Sequence, residues 1–331
     1  MLFTGGKKMK LKKILALALA CTTVVAGFAG CGEKEDKVYN IGICQLVQHT
    51  ALDAATQGFQ DALTEKLGDK VSFDLQNAAG DSITCGTIVN KFVSDKVDLI
   101  MANATASLQS AFAATADIPI VATSITDYAT ALDIDDWTGK TGVNVTGTCD
   151  LAPLNEQAAM IKELFPDAKK VGILYCATEA NSKYQAVEIA KYLTDLGIES
   201  EEFTCSDSND VAMVTSAACE ASDVIYIPTD NMMASSTGIV DGVAGPAGVP
   251  IVAGEAGICK GCGVATLSID YYSIGYAAGE QAYEILVNGA DPAEMEIGYA
   301  SELTKQYIAE RCSALGVEVP SDYEAVSIEE E

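Results

Sequence analysis

The chain has 331 residues, a formal net charge of −27 and an apolar fraction of 49%. This acidity argues against nucleic-acid binding, which relies on lysine and arginine to neutralise phosphates, and against a basic surface that holds anionic lipids. About 295 residues follow position 37, which is more than one hydrophobic core usually serves, so we predict two lobes.

The first 37 residues follow the order of a bacterial export signal. A lysine-rich start is followed by an apolar run from Ile14 to Phe28, then Ala-Gly-Cys31 and a polar segment. The apolar run is short for a membrane span, which needs roughly 20 residues. We therefore predict a signal peptide at 1–30, a lipid on Cys31 and a polar tether at 31–37.

Other interpretations of this segment remain open. Cys21 follows Ala-Leu-Ala and is a competing lipid site, and secretion without lipid or an uncleaved anchor helix are further alternatives. Met9 competes with Met1 as the start, because the basic segment survives without residues 1–8. The prediction is a lipid-anchored protein on the outer face of the cell membrane of a Gram-positive bacterium.

From residue 38 onward, β-rich runs alternate with helical periodicity. Strands are predicted at 38–46, 71–78, 97–102, 118–123 and 143–149, and helices at 51–67, 83–93 and 107–116. The pattern then restarts, with helices at 154–165, 182–196, 210–221 and 232–242 and strands at 170–175, 199–205, 223–228 and 250–253. Two successive runs predict an α/β fold of two doubly wound, Rossmann-like parallel-sheet lobes.

The tail is too short for a third lobe. It carries a predicted helix at 271–288, a strand at 295–300 and a helix at 305–315. We expect it to return to the first lobe and then cross to the second. The predicted lobes are therefore 38–147 plus 270–295, and 148–269 plus 296–326.

Nine cysteines remain after Cys21 and Cys31, an odd number in a domain that is too large to need disulfides. We predict buried thiols. Cys259 and Cys262 form the one close pair, for which a local disulfide is an alternative. No second pair completes a zinc site, so no metal is predicted.

Ligands of open parallel sheets bind beyond the carboxyl ends of the strands. Polar residues, carboxylates among them, recur at almost every such position and predict a cleft for a small polar or zwitterionic solute. The candidates are Gln45, His49, Asn77, Asn103, Thr105, Thr123, Ser124, Asp150, Asn181, Ser182, Asp230, Asn231, Glu255 and Asp270.

Some candidates have a purely structural alternative. Thr105, Asn181 and Asp230 are placed to cap helix N-termini, and Asp150 and Asp270 could fix turns between the lobes. Capping and binding are compatible, because a helix start also attracts anions.

Motifs of catalysis are missing from the sequence. It contains no Gly-x-Ser-x-Gly elbow, no phosphate loop and no dinucleotide fingerprint after the first strand, and His49 is its one histidine. We therefore predict a protein that is not an enzyme and needs no cofactor.

Six segments resemble the ABC-importer substrate-binding family associated with tryptophan and tyrosine uptake, which has the type I periplasmic-binding-protein fold. They are QLVQHTALD at 45–53, NAAGD at 77–81, NVTG at 144–147, EANS at 179–182, PTDN at 228–231 and ATLSIDYY at 265–272. The likeness covers about residues 38–320. The sequence departs from the family pattern at Thr50, at 104–106 and at Cys149, all near the expected cleft.

The resemblance implies a monomeric receptor that captures an amino acid, most simply an aromatic one, between lobes joined by three crossings, and delivers it to an ABC permease. The α-ammonium would bind Asp150 or Asp230. The α-carboxylate would bind hydroxyls and helix starts at Thr105, 123–124 and Ser182. The side-chain walls would be Leu52, Tyr175 and Tyr271.

Alternatives within this fold are a receptor for a nucleoside, a branched amino acid or a sugar, and a ligand-sensing lipoprotein. A sugar site would need stacking aromatics, and Trp137, the one tryptophan, lies in a predicted loop.

Overall fold

The structure is a computed structural model that describes residues 37–328. The predicted signal peptide, Cys31 and residues 31–36 of the tether lie outside the described residues. Within residues 37–328 no helix is long and apolar enough to cross a membrane.

The first part of the chain alternates strands and helices as its periodicity predicts. The elements in chain order are β1 (Tyr39–Gln45), α1 (Thr50–Leu67), β2 (Val71–Asn77), α2 (Ser82–Asp95), β3 (Leu99–Asn103), α3 (Thr105–Ala114), β4 (Ile120–Ile125), α4 (Tyr128–Leu132) and β5 (Val145–Cys149). A 3₁₀ turn at Gly68–Lys70 joins α1 to β2.

The second part repeats the alternation. Its elements are α5 (Leu154–Leu164), β6 (Lys170–Cys176), α6 (Ala180–Asp195), β7 (Glu199–Cys205), α7 (Val211–Ala221), β8 (Val224–Ile227), α8 (Asn231–Ser235), α9 (Thr237–Ala247), β9 (Ile251–Ala253), α10 (Ala256–Cys262) and β10 (Ala265–Ser268). The tail adds α11 (Tyr271–Asn288), a 3₁₀ turn at Pro292–Glu294, β11 (Gly298–Tyr299), β12 (Thr304–Ile308), α12 (Ala309–Leu315) and β13 (Glu324–Val326).

Two separate sheets organise these elements. Within residues 37–328 the first sheet has the order β11-β5-β4-β3-β1-β2 and the second β13-β12-β10-β9-β8-β6-β7. Neighbouring strands are parallel, except that β12 runs antiparallel to β10. The chain passes between the sheets at 150–153, 269–270 and 300–303, which confirms the two doubly wound lobes and their three crossings.

Helices cover both faces of the first sheet. Ile100 and Ala102 of β3 pack with Phe92 on one face, and Leu99 and Met101 pack with Phe59 on the other. A strand buried on both faces must be apolar at every position, which explains the continuous apolar run in β3. The core therefore fixes the strand ends, where the polar residues lie.

Several predicted elements were wrong. The helix predicted at 232–242 is two helices, α8 and α9, and residues 305–308 of the helix predicted at 305–315 belong to strand β12. That strand is held by β10, a partner distant in sequence. The elements α4, α10, β10 and β13 were not predicted.

The lobe boundaries need a small correction. Strand β5 continues to Cys149 in the first sheet, and β11 pairs with it at 298–299. The predicted boundaries at 147/148 and 295/296 each fall a few residues too early.

The nine cysteines of residues 37–328 are free thiols, and all but Cys219 are buried. This confirms the prediction of buried thiols. Cys259 and Cys262 lie in α10 without a disulfide between them.

Candidate ligand site between the lobes

A cavity lies where the carboxyl ends of strands from both sheets face each other. The first lobe contributes His49, Leu52, Ser124, Thr126, Asp150 and Tyr271 to its lining. The second lobe contributes Asn181, Thr229, Asp230, Asn231, Ala234 and Glu255. Strand ends position most of these side chains, so the parallel topology is what brings them together.

A hydrogen bond joins the two lobes across this cavity. His49, at the N-cap position of α1, places Nε2 at 3.2 Å from Oδ1 of Asn231. Asn231 is held in turn by Glu179, which accepts hydrogen bonds from its Nδ2 (2.7 Å) and its backbone N–H (3.2 Å). His49 and Asn231 are therefore in contact only when the lobes are close together.

Two buried carboxylates of the second lobe cap short helices. Asp230 accepts the N–H groups of Met233 (2.8 Å) and Cys176 (2.7 Å). Glu255 accepts the N–H groups of Gly257 (2.6 Å) and Ile258 (2.5 Å). Burial raises the pKa of both groups, while these backbone bonds favour the ionised forms.

The carboxylate of Asp150, in the first lobe, accepts hydrogen bonds from side-chain hydroxyls and not from the N–H groups of a helix start. It is 4% exposed and accepts hydrogen bonds from two neutral hydroxyls, those of Thr126 and Tyr271, each at 3.0 Å. Burial raises the pKa of Asp150 to about 6. Among the described residues that line the cavity there is no lysine or arginine. A buried carboxylate without a compensating cation is costly, so the cavity favours a ligand that carries a positive group.

Ser124 is a second unusual polar residue of the cavity lining. Its backbone φ is +58°, and its buried hydroxyl has no hydrogen-bond partner within the described part of the chain. Left-handed backbone is uncommon outside glycine, and buried hydroxyls are normally bonded. The strained position presents a free hydroxyl to the cavity.

Two long helices begin at the cavity. His49 and Glu179 occupy the N-cap positions of α1 and α6 but direct their side chains to Asn231. The first N–H groups of both helices and their positive ends therefore remain available to an anionic group. Together with Asp150 and Ser124, they form a site for a molecule that carries both charges.

The family profile described as ABC transporter substrate binding protein matches residues 40–322. The chain belongs to this family. A tyrosine-binding protein from Clostridioides difficile (strain R20291) is 40% identical over 294 residues, which cover 84% of this chain and 85% of that protein. An ABC domain from Streptococcus pneumonia in complex with L-Trp is 30% identical, with a TM-score of 0.84 over 88% of this chain and 100% of that one.

A second solved relative is the ligand-free, open form of a substrate-binding protein with adhesive properties from Clostridium difficile. It is 37% identical, with a TM-score of 0.68 over 88% of this chain and 99% of that one. The fold is that of type I periplasmic binding proteins. As a member of the substrate-binding family, the protein works outside the cytoplasm with an ABC transporter.

The cavity of this substrate-binding protein contains half of the polar residues predicted for it. They are His49, Ser124, Asp150, Asn181, Asp230, Asn231 and Glu255. Leu52 and Tyr271, predicted as walls, also line it.

Five other predicted residues are buried but do not line the cavity. Asn103 donates to the backbone oxygen of Leu52 at 2.8 Å, and Gln45 accepts the hydroxyl of Thr56 at 2.7 Å. Thr123 accepts the hydroxyl of Thr148 at 2.9 Å. Ser182 hydrogen-bonds Asp230, and Thr105 is buried in the first turn of α3. Asn103 and Ser182 thus contact residues of the lining, Leu52 and Asp230.

Three predicted residues lie away from the cavity. Asn77 accepts the N–H of Ala79 in the turn after β2. The Tyr175 ring packs in the second-lobe core, and its hydroxyl bonds Glu202. Asp270 is exposed and caps α11.

The capping hypothesis is confirmed for Asp230 and wrong for the other two candidates. Asp230 caps α8, whereas Ala104 and Glu179 occupy the N-cap positions of α3 and α6. Thr105 lies one residue beyond the N-cap of α3 and Asn181 two residues beyond that of α6, so capping is no longer an alternative to binding for either.

Thr126, Thr229 and Ala234 line the cavity but were not predicted. Thr229 stands beside Asp230, and Thr126 follows β4, so distance from a strand end could have indicated both. Ala234 is apolar and carries no comparable signal.

Proposed function

We propose that this protein captures an aromatic L-amino acid, tyrosine or tryptophan, between its lobes and delivers it to an ABC permease. The tyrosine-binding relative and the L-Trp complex support this ligand class. The site has the chemistry that an amino acid requires.

The observation that carries the proposal is Asp150, a buried carboxylate whose hydrogen-bond partners are neutral. The α-ammonium group of the ligand binds it. Asp230 and Glu255, in contrast, are each bonded to the start of a helix. The Ser124 hydroxyl and the start of α1 bind the α-carboxylate.

The side chain of the ligand lies among Leu52, Ala234 and Tyr271. Trp137, which a sugar receptor would use for stacking, instead stacks on Tyr128 with ring centroids 6.3 Å apart. Neither of these two rings lines the cavity. An amino acid therefore fits the described site better than a sugar.

The structure corresponds to the closed, ligand-binding state. Its TM-score is higher with the L-Trp complex (0.84) than with the ligand-free, open relative (0.68), although the open relative has the higher sequence identity. The His49–Asn231 hydrogen bond between the lobes supports the same interpretation.

We infer that Cys31 carries a lipid that holds the protein near its permease. Cys31→Ser is expected to release the protein from membranes into the culture medium, which fractionation and immunoblotting would show. Cys21→Ser is the matched control and should stay membrane-bound. A membrane-bound Cys31→Ser protein would instead indicate Cys21 or an uncleaved helix.

The ligand is tested by thermal unfolding and calorimetry of the mature chain with L-Tyr, L-Trp, L-Phe, L-Leu, nucleosides and sugars. A ligand that binds only the folded state raises the melting temperature. Tyramine lacks the carboxylate and 3-(4-hydroxyphenyl)propionate lacks the ammonium group, so both should bind at least about 100-fold more weakly than L-Tyr.

The outcomes separate the alternatives. A shift with leucine, a nucleoside or a sugar alone would reassign the ligand but keep the transport role. Equal binding of the propionate and L-Tyr would reject Asp150 as the ammonium site. No shift with any compound would favour a sensing lipoprotein for another solute.

A further inference from the structure

Three sulfur atoms meet beside the ligand cavity in the second lobe. Cys176 is the last residue of β6 and pairs in register with Cys205, the last residue of the neighbouring strand β7. Both thiols lie in one buried cluster on the same face of the sheet, against which Met232 packs. The thioether of Met232, from α8, lies 3.7 Å from the Cys205 sulfur.

We propose that Cys176, Cys205 and Met232 form a binding site for a soft, thiophilic monovalent cation of the Cu(I) class. Thiolate and thioether sulfur are the donors that such ions prefer. A trigonal site with metal–sulfur bonds of roughly 2.3 Å requires sulfur atoms about 4 Å apart. The Cys205–Met232 distance of 3.7 Å is close to that spacing.

The donor set excludes the harder ions. Within residues 37–328 no group of three or more His, Cys, Asp or Glu side chains could hold a metal ion. Zinc, calcium and magnesium sites are built from those residues. The cluster becomes a complete ligand set only when the methionine is counted, and thioether sulfur selects a soft metal.

The strand register argues against a disulfide between the same cysteines. Parallel neighbours lie roughly 4.8 Å apart with their side chains nearly parallel. A disulfide needs the two Cβ atoms at about 3.8 Å. Two in-register thiols at the wider strand spacing are better bridged by an ion.

The cluster also has an access route. The two cysteines are buried, but Met232 is partly exposed. The thioether therefore forms the outer side of the site, where an ion can enter.

The test is competition for Cu(I) between the reduced, full-length mature protein and an excess of a chromophoric Cu(I) chelator. Only a site with several sulfur ligands competes under these conditions. We expect withdrawal of one equivalent of Cu(I). Met232→Leu should weaken binding at least tenfold and Cys205→Ser at least a hundredfold, with melting temperatures showing that both variants fold.

Cys85→Ser is the matched control. Cys44 and Cys85 also lie close together, but both contact the Ser107 hydroxyl, at 3.6 and 3.5 Å, instead of a thioether. This variant should bind Cu(I) as the wild type does.

Three results would overturn the proposal. The first is no withdrawal of Cu(I) by the wild type. The second is an equal loss in Cys85→Ser. The third is a Cys176–Cys205 disulfide, detected by thiol titration and mass spectrometry, in protein purified without reductant.

Discussion

Asp150, the proposed ammonium site, is a residue whose burial costs the fold stability. Its carboxylate is buried and bonded to two hydroxyls, Thr126 and Tyr271, which do not neutralise its charge. The pKa of Asp150, raised from 3.8 to about 6 by burial, corresponds to a cost of up to about 3 kcal/mol at neutral pH in the ligand-free protein. A cationic ligand group removes this cost.

We therefore predict opposite effects of Asp150→Asn on binding and on stability. Affinity for the amino acid should fall at least about 100-fold, because a buried ion pair is lost. The ligand-free variant should melt higher than the wild type at pH 7.5. Calorimetry and thermal unfolding measure the two effects.

The pH dependence of the stability difference identifies its cause. The folded-state pKa of Asp150 lies above its unfolded value, so its contribution is favourable below pH 3.8 and is lost as the pH rises through about 6. The stability advantage of the variant should be largest above pH 6 and vanish near pH 4. Asp270→Asn, at an exposed helix cap, is the control and should show neither effect.

Affinity should depend on pH for the same reason. The proposed ammonium site is the ionised form of Asp150, so wild-type affinity should weaken below pH 6 by up to about tenfold per pH unit. In Asp150→Asn this dependence should be lost, so the residual affinity should change much less between pH 5 and 7. A wild-type profile that is equally flat would show that another group binds the ammonium.

The lining of the cavity was predictable where a residue follows a central strand, as Asp150 and Asp230 do. Asn77 was misplaced because β2 is the edge strand of its sheet, and strand order across a sheet does not follow from sequence order. Tyr175 was misplaced because it lies within β6 and its ring faces the core. The position of a strand in its sheet and the face to which a side chain points are decided by three-dimensional packing.

At the scale of elements, the contact between α1 and α11 depends on glycine. A Cβ atom on Gly275 would lie 2.0 Å from the backbone oxygen of Ala55, and one on Gly58 would lie 2.2 Å from that of Tyr272. The two backbones are therefore nearly in contact. The contact between α1 and α11 holds the returning tail against the first lobe.

Gly275→Ala should consequently destabilise the protein by about 3 kcal/mol or more, because the helices must separate. Gly86→Ala is the matched control, since its Cβ meets nothing within 4 Å in helix α2. That change should stabilise by up to about 1 kcal/mol. Urea denaturation measures both; similar values for the two variants would contradict the close contact.

Element prediction succeeded where local periodicity decides the structure, as in α1 and α11. It failed for β12, whose residues form a strand because β10 offers an antiparallel partner. Residues 256–262 were also missed as a helix, although the Glu255 carboxylate caps it. Short elements depend on neighbours that periodicity does not reveal.

At the scale of the whole molecule, we propose that binding shifts an equilibrium between open and closed lobes. The His49–Asn231 hydrogen bond, at 3.2 Å, joins the two lobes and so requires that they be close together. This bond stabilises the closed form, so its removal should shift the equilibrium toward the open form. The effect does not depend on Asp150. A ligand must then supply the energy that the bond no longer provides.

We predict that His49→Ala and Asn231→Ala each lower amino-acid affinity about fivefold or more, as expected for the loss of one hydrogen bond of about 1 kcal/mol. The double variant should lose less binding free energy than the sum of the two single losses, because both changes remove the same bond.

Small-angle scattering should show ligand-induced contraction of the wild type and a smaller contraction of the variants at equal ligand concentration. Asn90→Ala is the control, since within residues 37–328 the Asn90 side chain bonds only its own helix, at the Gly86 oxygen. Strict additivity in the double variant would mean that His49 and Asn231 each contact the ligand independently and that the interlobe bond contributes nothing to closure.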